Sequence, residues 1–169
     1  MNQLLAARVR MVERSARVRR YHTEPVVHQQ TVGEHTYGVM WLVYLLSDGD
    51  VSRNLLLAAM MHDAPEHETG DIPAPVKRTG GIKAMFDTLE DRAMRDLQLA
   101  FPELTEAEAA TLKMADCLEG MLFCSWELKR GNTLMALSFR NYTDYIRRLQ
   151  PQGVAAEIYN QLKGEYGEY

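Results

Sequence analysis

The chain has 169 residues, of which 46% are hydrophobic and 25% charged, and its formal net charge is -4. These values are typical of a soluble globular protein with one domain over 1–169. The negative charge argues against a nucleic acid polymer as partner, although a local group of cations can still hold a small anion. No run approaches about 20 apolar residues and no signal peptide pattern is visible, so no membrane contact and a cytoplasmic location are expected.

The spacing of apolar residues predicts an all-α fold, a single helical bundle of about seven helices. The first helix is expected over 2–16, followed by a loop from about 18 to 31. Thr31 and Glu34 have the spacing of a capping box, which predicts that the second helix begins there and ends near 47–49.

The third predicted helix begins after Ser52, and its residues 55–61 are apolar nearly all round. We therefore expect it to be the central, buried helix. Pro65 removes a backbone hydrogen bond, so a kink or stop is expected near Ala64. The segment 70–77 contains two prolines and an Ala-Pro step, and we expect an ordered loop there without regular helix.

The second half of the chain is predicted to be helical as well. Helices are expected over about 82–100, from a second capping box at Thr105 and Glu108 to Gly131, over about 133–149 and over about 151–163. Cys117 and Cys124 lie two turns apart in the longest of these helices, which is too far for a disulfide within it. We expect two buried thiols in a reducing compartment.

A His-Asp pair, His62 and Asp63, ends the apolar third helix. An ionised carboxylate in such surroundings is costly unless it is compensated, and a divalent metal is the simplest compensation. Further ligands must come from elsewhere, and the candidates are His35, in the first turn of its helix, and Asp116, on an otherwise apolar helix face. Two His and two carboxylates suit Zn, Co, Mn, Fe or Ni, and Mg is the ion expected for any second site.

Simpler readings compete with the metal site. A His-Asp dipeptide is common by chance, and Asp116 could pair with Lys113 or Arg92 instead. His22, His28 and His67 are taken as solvated or hydrogen-bonding residues. The motifs of zincins, Ser hydrolases, P-loop proteins and dinucleotide-binding proteins are absent from the sequence.

The order His35, His62-Asp63, Asp116 resembles the signature of the HD-domain superfamily of metal-dependent phosphohydrolases. Gly33-Glu34-His35-Thr36, His62-Asp63-Ala64-Pro65-Glu66 and Lys113-Met114-Ala115-Asp116 resemble the bacterial HD-domain 5′-deoxynucleotidases. So does the loop Gly70-Asp71-Ile72-Pro73-Ala74-Pro75-Val76-Lys77, which is far more specific than the His-Asp pair. The resemblance covers about residues 17–120.

The resemblance implies a role for each matching residue. It implies that His35, His62, Asp63 and Asp116 bind the metal, with His62 and Asp116 also facing the substrate. It implies that Glu66 orients or deprotonates the attacking water. It implies that Asp71 reads the 3′-hydroxyl side of the sugar and disfavours ribose, that Ile72, Pro73 and Ala74 line the substrate pocket, and that Arg20 orients the phosphate.

Two features depart from the bacterial pattern. Tyr21 stands where those enzymes have a Trp that stacks on the nucleoside, so the base preference is open. The chain is also shorter between Lys77 and Asp116, and this compact form resembles the phage dATP triphosphohydrolases of the same group. If the chain is phage-encoded, its location would be the host cytoplasm.

Hydrolysis of a 5′ phosphoester also needs cations for the phosphate charge, and Arg20, Lys77 and Lys113 are candidates. Arg78 and Lys83 lie close enough in sequence to add charge for a triphosphate. The predicted function is metal-dependent hydrolysis of 2′-deoxynucleotides, with dATP first, then dADP and dAMP.

Two alternatives stay open. One is a broad deoxyribonucleoside 5′-monophosphatase, and the other, of a different class, is a non-catalytic nucleotide-binding module. A homo-oligomer is expected, because the Tyr-rich helices after residue 130, which also carry Met135, look suited to self-association.

Overall fold

The structure, a computed structural model, describes residues 2–77 and 79–166, apart from the side chains of residues 74 and 75. Within these ranges the chain forms nine α-helices and one 3₁₀ turn, and the all-α prediction is confirmed. The bounds are α1 Gln3–Ala16, α2 Val32–Leu46, α3 Arg53–Met61, α4 Glu66–Thr69, α5 Ala74–Lys77, α6 Ile82–Asp96, α7 Glu106–Lys129, the 3₁₀ turn Thr133–Met135, α8 Ala136–Arg148 and α9 Gly153–Tyr166. Seven of the helices have nine residues or more, and α4 and α5 have four each.

The predicted caps begin the helices that carry the site. In α2 the Glu34 amide donates to Thr31 Oγ1 at 3.3 Å, while Glu34 Oε2 accepts from the Thr31 amide at 2.7 Å. The same reciprocal pair joins Thr105 and Glu108 at the start of α7. Ser52 Oγ accepts from the Leu55 amide at 3.0 Å and begins α3. These side chains satisfy amides that have no partner inside the helix.

The expectation that 70–77 contains no regular helix is wrong, because residues 74–77 form the short helix α5. Pro75 lies in the first turn, where a missing N–H costs no helical hydrogen bond. The amides of Val76 and Lys77 both donate to the Pro73 carbonyl, at 2.8 and 3.2 Å. The segment 70–73 before it is a loop, as predicted.

The sixth helix ends at Asp96, earlier than the predicted 100. Gln98 has a φ of 49°, a left-handed conformation that stops a helix. Arg8 from α1 then donates to the carbonyls of Leu97 and Gln98, both at 2.9 Å. The helix end therefore obtains its partners from a distant helix, which the local sequence does not reveal.

The centre of the bundle is α7, which packs against α2, α3, α8 and α9. The prediction that α3 is the central helix is wrong: Leu55, Ala58 and Ala59 are buried, but Met60 is 47% exposed. An apolar sequence all round a helix does not distinguish a central helix from one with an apolar exposed side. Among the described residues no helix is both long and apolar enough to span a bilayer.

The two cysteines lie in this central helix. Cys117 and Cys124 are both buried and unbridged, as predicted. Burial raises the pKa of each thiol to about 12, so neither is a nucleophile near neutral pH.

A glycine lets α8 approach α7 closely. A Cβ built on Gly120 would lie 2.3 Å from Cζ of Tyr142, well inside van der Waals contact. Tyr142 thereby packs closely against Gly120 of α7, and its hydroxyl contacts that of Tyr21 at 3.0 Å. The loop that carries Arg20 and Tyr21 is thus fixed to α8 across the central helix.

We expect Gly120→Ala to lower the free energy of unfolding by about 1–3 kcal/mol, because Tyr142 must move to accommodate the new methyl group. Gly164→Ala in α9 is the matched control, since a Cβ there meets nothing within 4 Å and should stabilise the helix by up to about 1 kcal/mol. Urea denaturation followed by circular dichroism measures both. Equal stability of Gly120→Ala and the wild type would contradict this packing.

Candidate active site

Four side chains from three helical regions converge on one point inside the bundle. His35 Nε2 lies 3.2 Å from His62 Nε2, 3.3 Å from Asp116 Oδ1 and 3.4 Å from Asp63 Oδ2. His62 Nε2 also lies 3.4 Å from Asp63 Oδ2. The structure therefore brings together all four of the predicted ligands. We call them the His-Asp cluster.

Local structure determines how each histidine is presented. The capping box of α2 places His35 one residue after Glu34, in the first turn and fully buried. The third helix ends at Met61, and the turn before Pro65 is the predicted stop. The Nδ1 atom of His62 lies 2.8 Å from the carbonyl of Ala59, so His62 Nε2 faces the cluster.

The pKa values of His35, Asp63 and Asp116 are shifted by their contacts within the cluster. Burial and the charge of Arg20 oppose protonation of His35, but its hydrogen bonds to Asp116 and Glu119 raise its pKa to about 9. Burial likewise opposes ionisation of Asp116, yet His35 and Lys113 hold its pKa below the usual range. The same balance, with His62 and His35 as the main partners, lowers the pKa of Asp63. Carboxylates that stay ionised in a buried place attract a cation.

The donor set fits a divalent metal ion. One donor atom each of His35, His62 and Asp116 lies within 4.8 Å of the others, and Asp63 adds an oxygen 3.4 Å from both imidazoles. Ligands bound to one ion at about 2.0–2.2 Å stand roughly 3–3.5 Å apart, as most of these atoms do. Two imidazoles with two carboxylates suit Zn, Mn, Fe, Co or Ni.

Three cations adjoin the cluster, each beside one of its acidic residues or beside Glu66. Lys113 Nζ lies 2.8 Å from Asp116 Oδ2, and Lys77 Nζ lies 3.3 Å from Glu66 Oε1. Arg20 Nη1 is 4.0 Å from Asp63 Oδ2, and its Nε and Nη1 have no hydrogen-bond partner within the described ranges. Of the other two predicted cations, Lys83 pairs with Asp87 on the exposed side of α6, and Arg78 lies outside the described residues.

Glu66 begins α4 and is 3% exposed. Burial, with the charges of Asp63 and Asp71, raises its pKa to about 8. One carboxylate oxygen, Oε2, has no hydrogen-bond partner in the part of the chain that the structure describes. Glu66 is therefore a carboxylic acid that can exchange a proton near neutral pH.

The loop after α4 adjoins this carboxylate. Asp71 lies close enough for its charge to act on Glu66, and it is half-buried, as are Ile72 and Pro73. The backbone of Ala74 begins α5, and its side chain lies outside the described residues. Asp71, predicted to read the sugar, and Ile72 and Pro73, two of the three residues predicted to line the pocket, are thus partly open to solvent.

Tyr21 has a φ of 53°, a conformation that is strained for a residue with a large side chain. Its ring stacks on Phe123 with centroids 4.6 Å apart, and its hydroxyl contacts Tyr142. The Arg20 guanidinium lies 5.6 Å from the ring centroid. Phe123 therefore covers one face of the Tyr21 ring.

Sequence reasoning missed two buried residues beside the cluster. Glu119 accepts a short hydrogen bond from His35 Nδ1, and Gln30 Nε2 donates to Glu119 Oε1 at 2.7 Å. Glu119 follows Asp116 by three residues, one helical turn, in the same apolar helix. That spacing was a usable signal. Gln30 lies in a loop and carries no such pattern.

The bundle, and the donors that α2, the end of α3 and α7 bring together, define an HD-type helical domain. The family model described as 5′-deoxynucleotidase YfbR-like matches residues 7–160, and the chain belongs to that family. Membership places the chain among the HD-type phosphohydrolases.

Individual relatives agree with this assignment. A 5′-deoxynucleotidase of Cronobacter sakazakii is 30% identical over 155 residues, which cover 78% of this chain and 75% of the relative. A solved protein of Pyrococcus horikoshii has a TM-score of 0.73 at 20% identity, over 93% of this chain and 97% of its own. The cyanophage S-2L HD phosphohydrolase DatZ, solved with dA and one catalytic Zn²⁺, has a TM-score of 0.60 at 20% identity, over 94% and 93%. At this identity the two solved structures show the shared fold.

We expect the metal-free protein to lose stability relative to Glu66→Gln as the pH rises from about 4.5 to about 8. The folded state raises the pKa of Glu66, so it binds the proton more tightly than the unfolded chain, and that stabilisation is lost on ionisation. The relative loss should be at least about 1.4 kcal/mol, the equivalent of one pKa unit. Denaturation in chelator at pH 5 and pH 8.5 measures it, and a constant difference would contradict the raised pKa.

Proposed function

We propose that this chain catalyses metal-dependent hydrolysis of the 5′ phosphoester of 2′-deoxynucleotides. The first substrate is dATP, which yields deoxyadenosine and triphosphate, and dADP and dAMP follow. Hydrolysis of this kind lowers the cellular pool of dATP. The observation that carries the proposal is the arrangement of Arg20, Lys77 and Lys113 around the His-Asp cluster.

Each of these cations lies beside a carboxylate of the site. A phosphate that enters would exchange carboxylate contacts for phosphate contacts at Lys77 and Lys113, and it would offer Arg20 the hydrogen-bond partners that two of its buried nitrogens lack. Arg is well suited to this, because its planar guanidinium binds two phosphate oxygens at once. Three cations also suit the larger charge of a triphosphate.

The proposed metal ligands are His35, His62, Asp63 and Asp116. A divalent ion held there supplies Lewis-acid activation of water and of the phosphoryl oxygens. Glu66 orients the attacking water and accepts its proton, for which a pKa of about 8 is well placed. Arg20 and Lys113 hold the phosphate oxygens, and Lys77, paired with Glu66, keeps a positive charge beside the proton acceptor.

Sugar and base are assigned to the loops on either side of the cluster. Asp71 reads the 3′-hydroxyl side of the sugar and disfavours ribose, while Ile72, Pro73 and Ala74 line the pocket wall. Tyr21 is assigned to the contact with the base. The phage HD phosphohydrolase DatZ shares the fold and was solved with dA bound, which supports deoxyadenosine as the nucleoside.

The alternative within the same chemistry is a broad deoxyribonucleoside 5′-monophosphatase. It is favoured by the family description and by the Cronobacter relative, both of which are named 5′-deoxynucleotidase. A non-catalytic nucleotide-binding module is the alternative of another class. An enzyme is supported over such a module because the full set of proposed functional side chains is present. The set consists of two histidines, three carboxylates and three cations: His35, His62, Asp63, Glu66, Asp116, Arg20, Lys77 and Lys113.

Rates on dATP, dGTP, ATP and the four deoxynucleoside 5′-monophosphates, dAMP among them, separate these possibilities. We expect turnover in the order dATP, dAMP, dGTP, with ATP slowest, in the presence of Zn²⁺, Co²⁺ or Mn²⁺. Phosphorus NMR should show intact triphosphate as the product from dATP. Rates on the four deoxynucleoside monophosphates that exceed the dATP rate would favour the broad monophosphatase. Equal rates on ATP and dATP would contradict the role of Asp71.

We expect Asp116→Ala to reduce turnover at least about 100-fold, beyond the 10- to 100-fold typical of residues outside the ligand set. Asp87→Ala is the matched control, because Asp87 is an exposed carboxylate on α6 that pairs with Lys83. Initial rates with the preferred deoxynucleotide, together with thermal melting to confirm folding, test the pair. Unchanged turnover in folded Asp116→Ala would exclude the metal centre.

We propose also that the chain forms a homo-oligomer, through a different surface from the one the sequence suggested. After residue 130, Met135 and Tyr159 lie in the core and are unavailable to a partner. On α2, by contrast, Tyr37, Trp41 and Tyr44 are 65%, 51% and 44% exposed and touch edge to face. Such an exposed apolar group is typical of an interaction surface.

Trp41→Glu should shift the chain toward monomer in sedimentation velocity experiments across a range of concentrations. Leu137→Glu on α8 is the control, because Leu137 is 61% exposed but lies away from α2 in sequence and on another helix. If Leu137→Glu dissociates the oligomer and Trp41→Glu does not, the interface lies on the helices after residue 130 instead. A wild-type chain that is monomeric at every concentration would exclude both surfaces.

A further inference from the structure

We propose that Glu119 is a positioning residue that holds the side chains of His35 and Arg20 in fixed positions relative to each other. The inference rests on the metal centre proposed above and assigns a role to a residue outside its ligand set. It concerns one carboxylate that contacts a metal-ligand candidate, a phosphate-binding candidate and the loop between them.

The contact with His35 determines which nitrogen of the ring faces the cluster. His35 Nδ1 donates to Glu119 Oε2, and His35 Nε2 faces Asp63, Asp116 and His62. A neutral imidazole carries one N–H, so a carboxylate acceptor at Nδ1 leaves the Nε2 lone pair free for a metal. Because His35 is fully buried, water cannot replace this acceptor.

The other contacts of Glu119 reach the loop that carries Arg20. Gln30 Nε2 donates to Glu119 Oε1 at 2.7 Å, and Arg20 Nη1 lies 4.0 Å from Glu119 Oε2. The Arg20 amide donates to the Gln30 carbonyl at 2.9 Å, which ties the two ends of the loop together. Displacement of this one carboxylate would therefore disturb His35 and Arg20 together.

A glycine makes room for this side chain. A Cβ built on Gly38 would lie 2.7 Å from Cγ of Glu119 and 3.2 Å from its Oε1. Gly38 follows His35 by three residues on α2, so the helix that presents the histidine also presents the space for its acceptor. This close fit holds the carboxylate against α2 and limits its rotamers.

Glu127 is an example of a buried carboxylate with a purely structural role, and its contacts differ from those of Glu119. Glu127 is another buried carboxylate of α7, and it accepts from the amides of Val27 and His28 at 2.7 and 2.9 Å. It also accepts from Asn132 Nδ2 at 2.6 Å. These contacts anchor the same loop but involve no member of the His-Asp cluster.

The test measures metal binding directly, apart from turnover. Zn²⁺ affinity is obtained by titration calorimetry and Co²⁺ geometry from its visible absorption, for the wild type, Glu119→Ala, Glu119→Gln and the control Glu127→Gln. Circular dichroism and thermal melting establish that each variant is folded. Glu119→Gln keeps an oxygen that can accept from His35 Nδ1, so it remains informative if Glu119→Ala fails to fold.

We expect Glu119→Ala to weaken Zn²⁺ binding about 10- to 100-fold and to alter the Co²⁺ spectrum, as loss of an acceptor behind a ligating histidine does. Glu119→Gln should recover part of that affinity. Glu127→Gln should lower the melting temperature and leave Zn²⁺ affinity unchanged. In activity assays, KM for the deoxynucleotide should rise in Glu119→Gln, because Arg20 also loses its charged neighbour.

Equal Zn²⁺ affinity of the wild type and both Glu119 variants would overturn the inference and leave the proposed function intact. An equal loss in Glu127→Gln would overturn it as well, because loop anchoring would then account for the effect. A wild-type chain that binds no divalent ion would overturn the metal centre itself and, with it, this role of Glu119.

Discussion

The burial of His35 among carboxylates is the constraint on which the rest of the site depends. Its ring is fully buried and contacts Asp63, Asp116 and Glu119. Buried ionised carboxylates cost several kcal/mol each unless positive charge and hydrogen bonds compensate them. The structure concentrates such groups where a helical bundle would ordinarily place apolar side chains. Stability alone gives no reason for that arrangement, so its reason lies in what the site binds.

The local structure around the cluster is consistent with this reading. A capping box fixes the register of His35, α3 ends at Met61 so that His62 and Asp63 lie in the turn before Pro65, and α7 carries Asp116 through the middle of the core. Gly38 has no side chain, and Glu119 occupies the space that a larger residue there would fill. Together these features hold charged groups from distant parts of the sequence within hydrogen-bond distance, which is the precision that phosphoryl chemistry requires.

Sequence reasoning predicted the parts of this design that leave local signals. Capping boxes, the proline stop and a lone Asp in an apolar helix each follow from a few neighbouring residues, and they located α2, α3, α7 and the four donors. The central helix was misassigned because α3 is apolar on its exposed side too. Glu119 was missed because its importance comes from a contact with His35, 84 residues away. The loop residues Gln30 and Tyr21 depend likewise on tertiary contacts, with Glu119 and Phe123.

The charges of the site link the metal to the nucleotide. Four carboxylates, Asp63, Glu66, Asp116 and Glu119, stand against three cations, Arg20, Lys77 and Lys113, with His35 and His62 between them. Near neutral pH Glu66, with its pKa raised to about 8, is mostly protonated, and His35, with its pKa raised to about 9, is mostly protonated too, so the acidic residues of the site are balanced by cations. Without a divalent ion Lys77 and Lys113 are paired with carboxylates of the site, so a phosphate would have to displace those contacts in a buried place, where screening by solvent is weak. A divalent ion held there would neutralise the cluster carboxylates and leave the cations free to hold phosphate oxygens. On the proposed function, substrate affinity should therefore depend on the metal for electrostatic reasons, before any chemistry takes place.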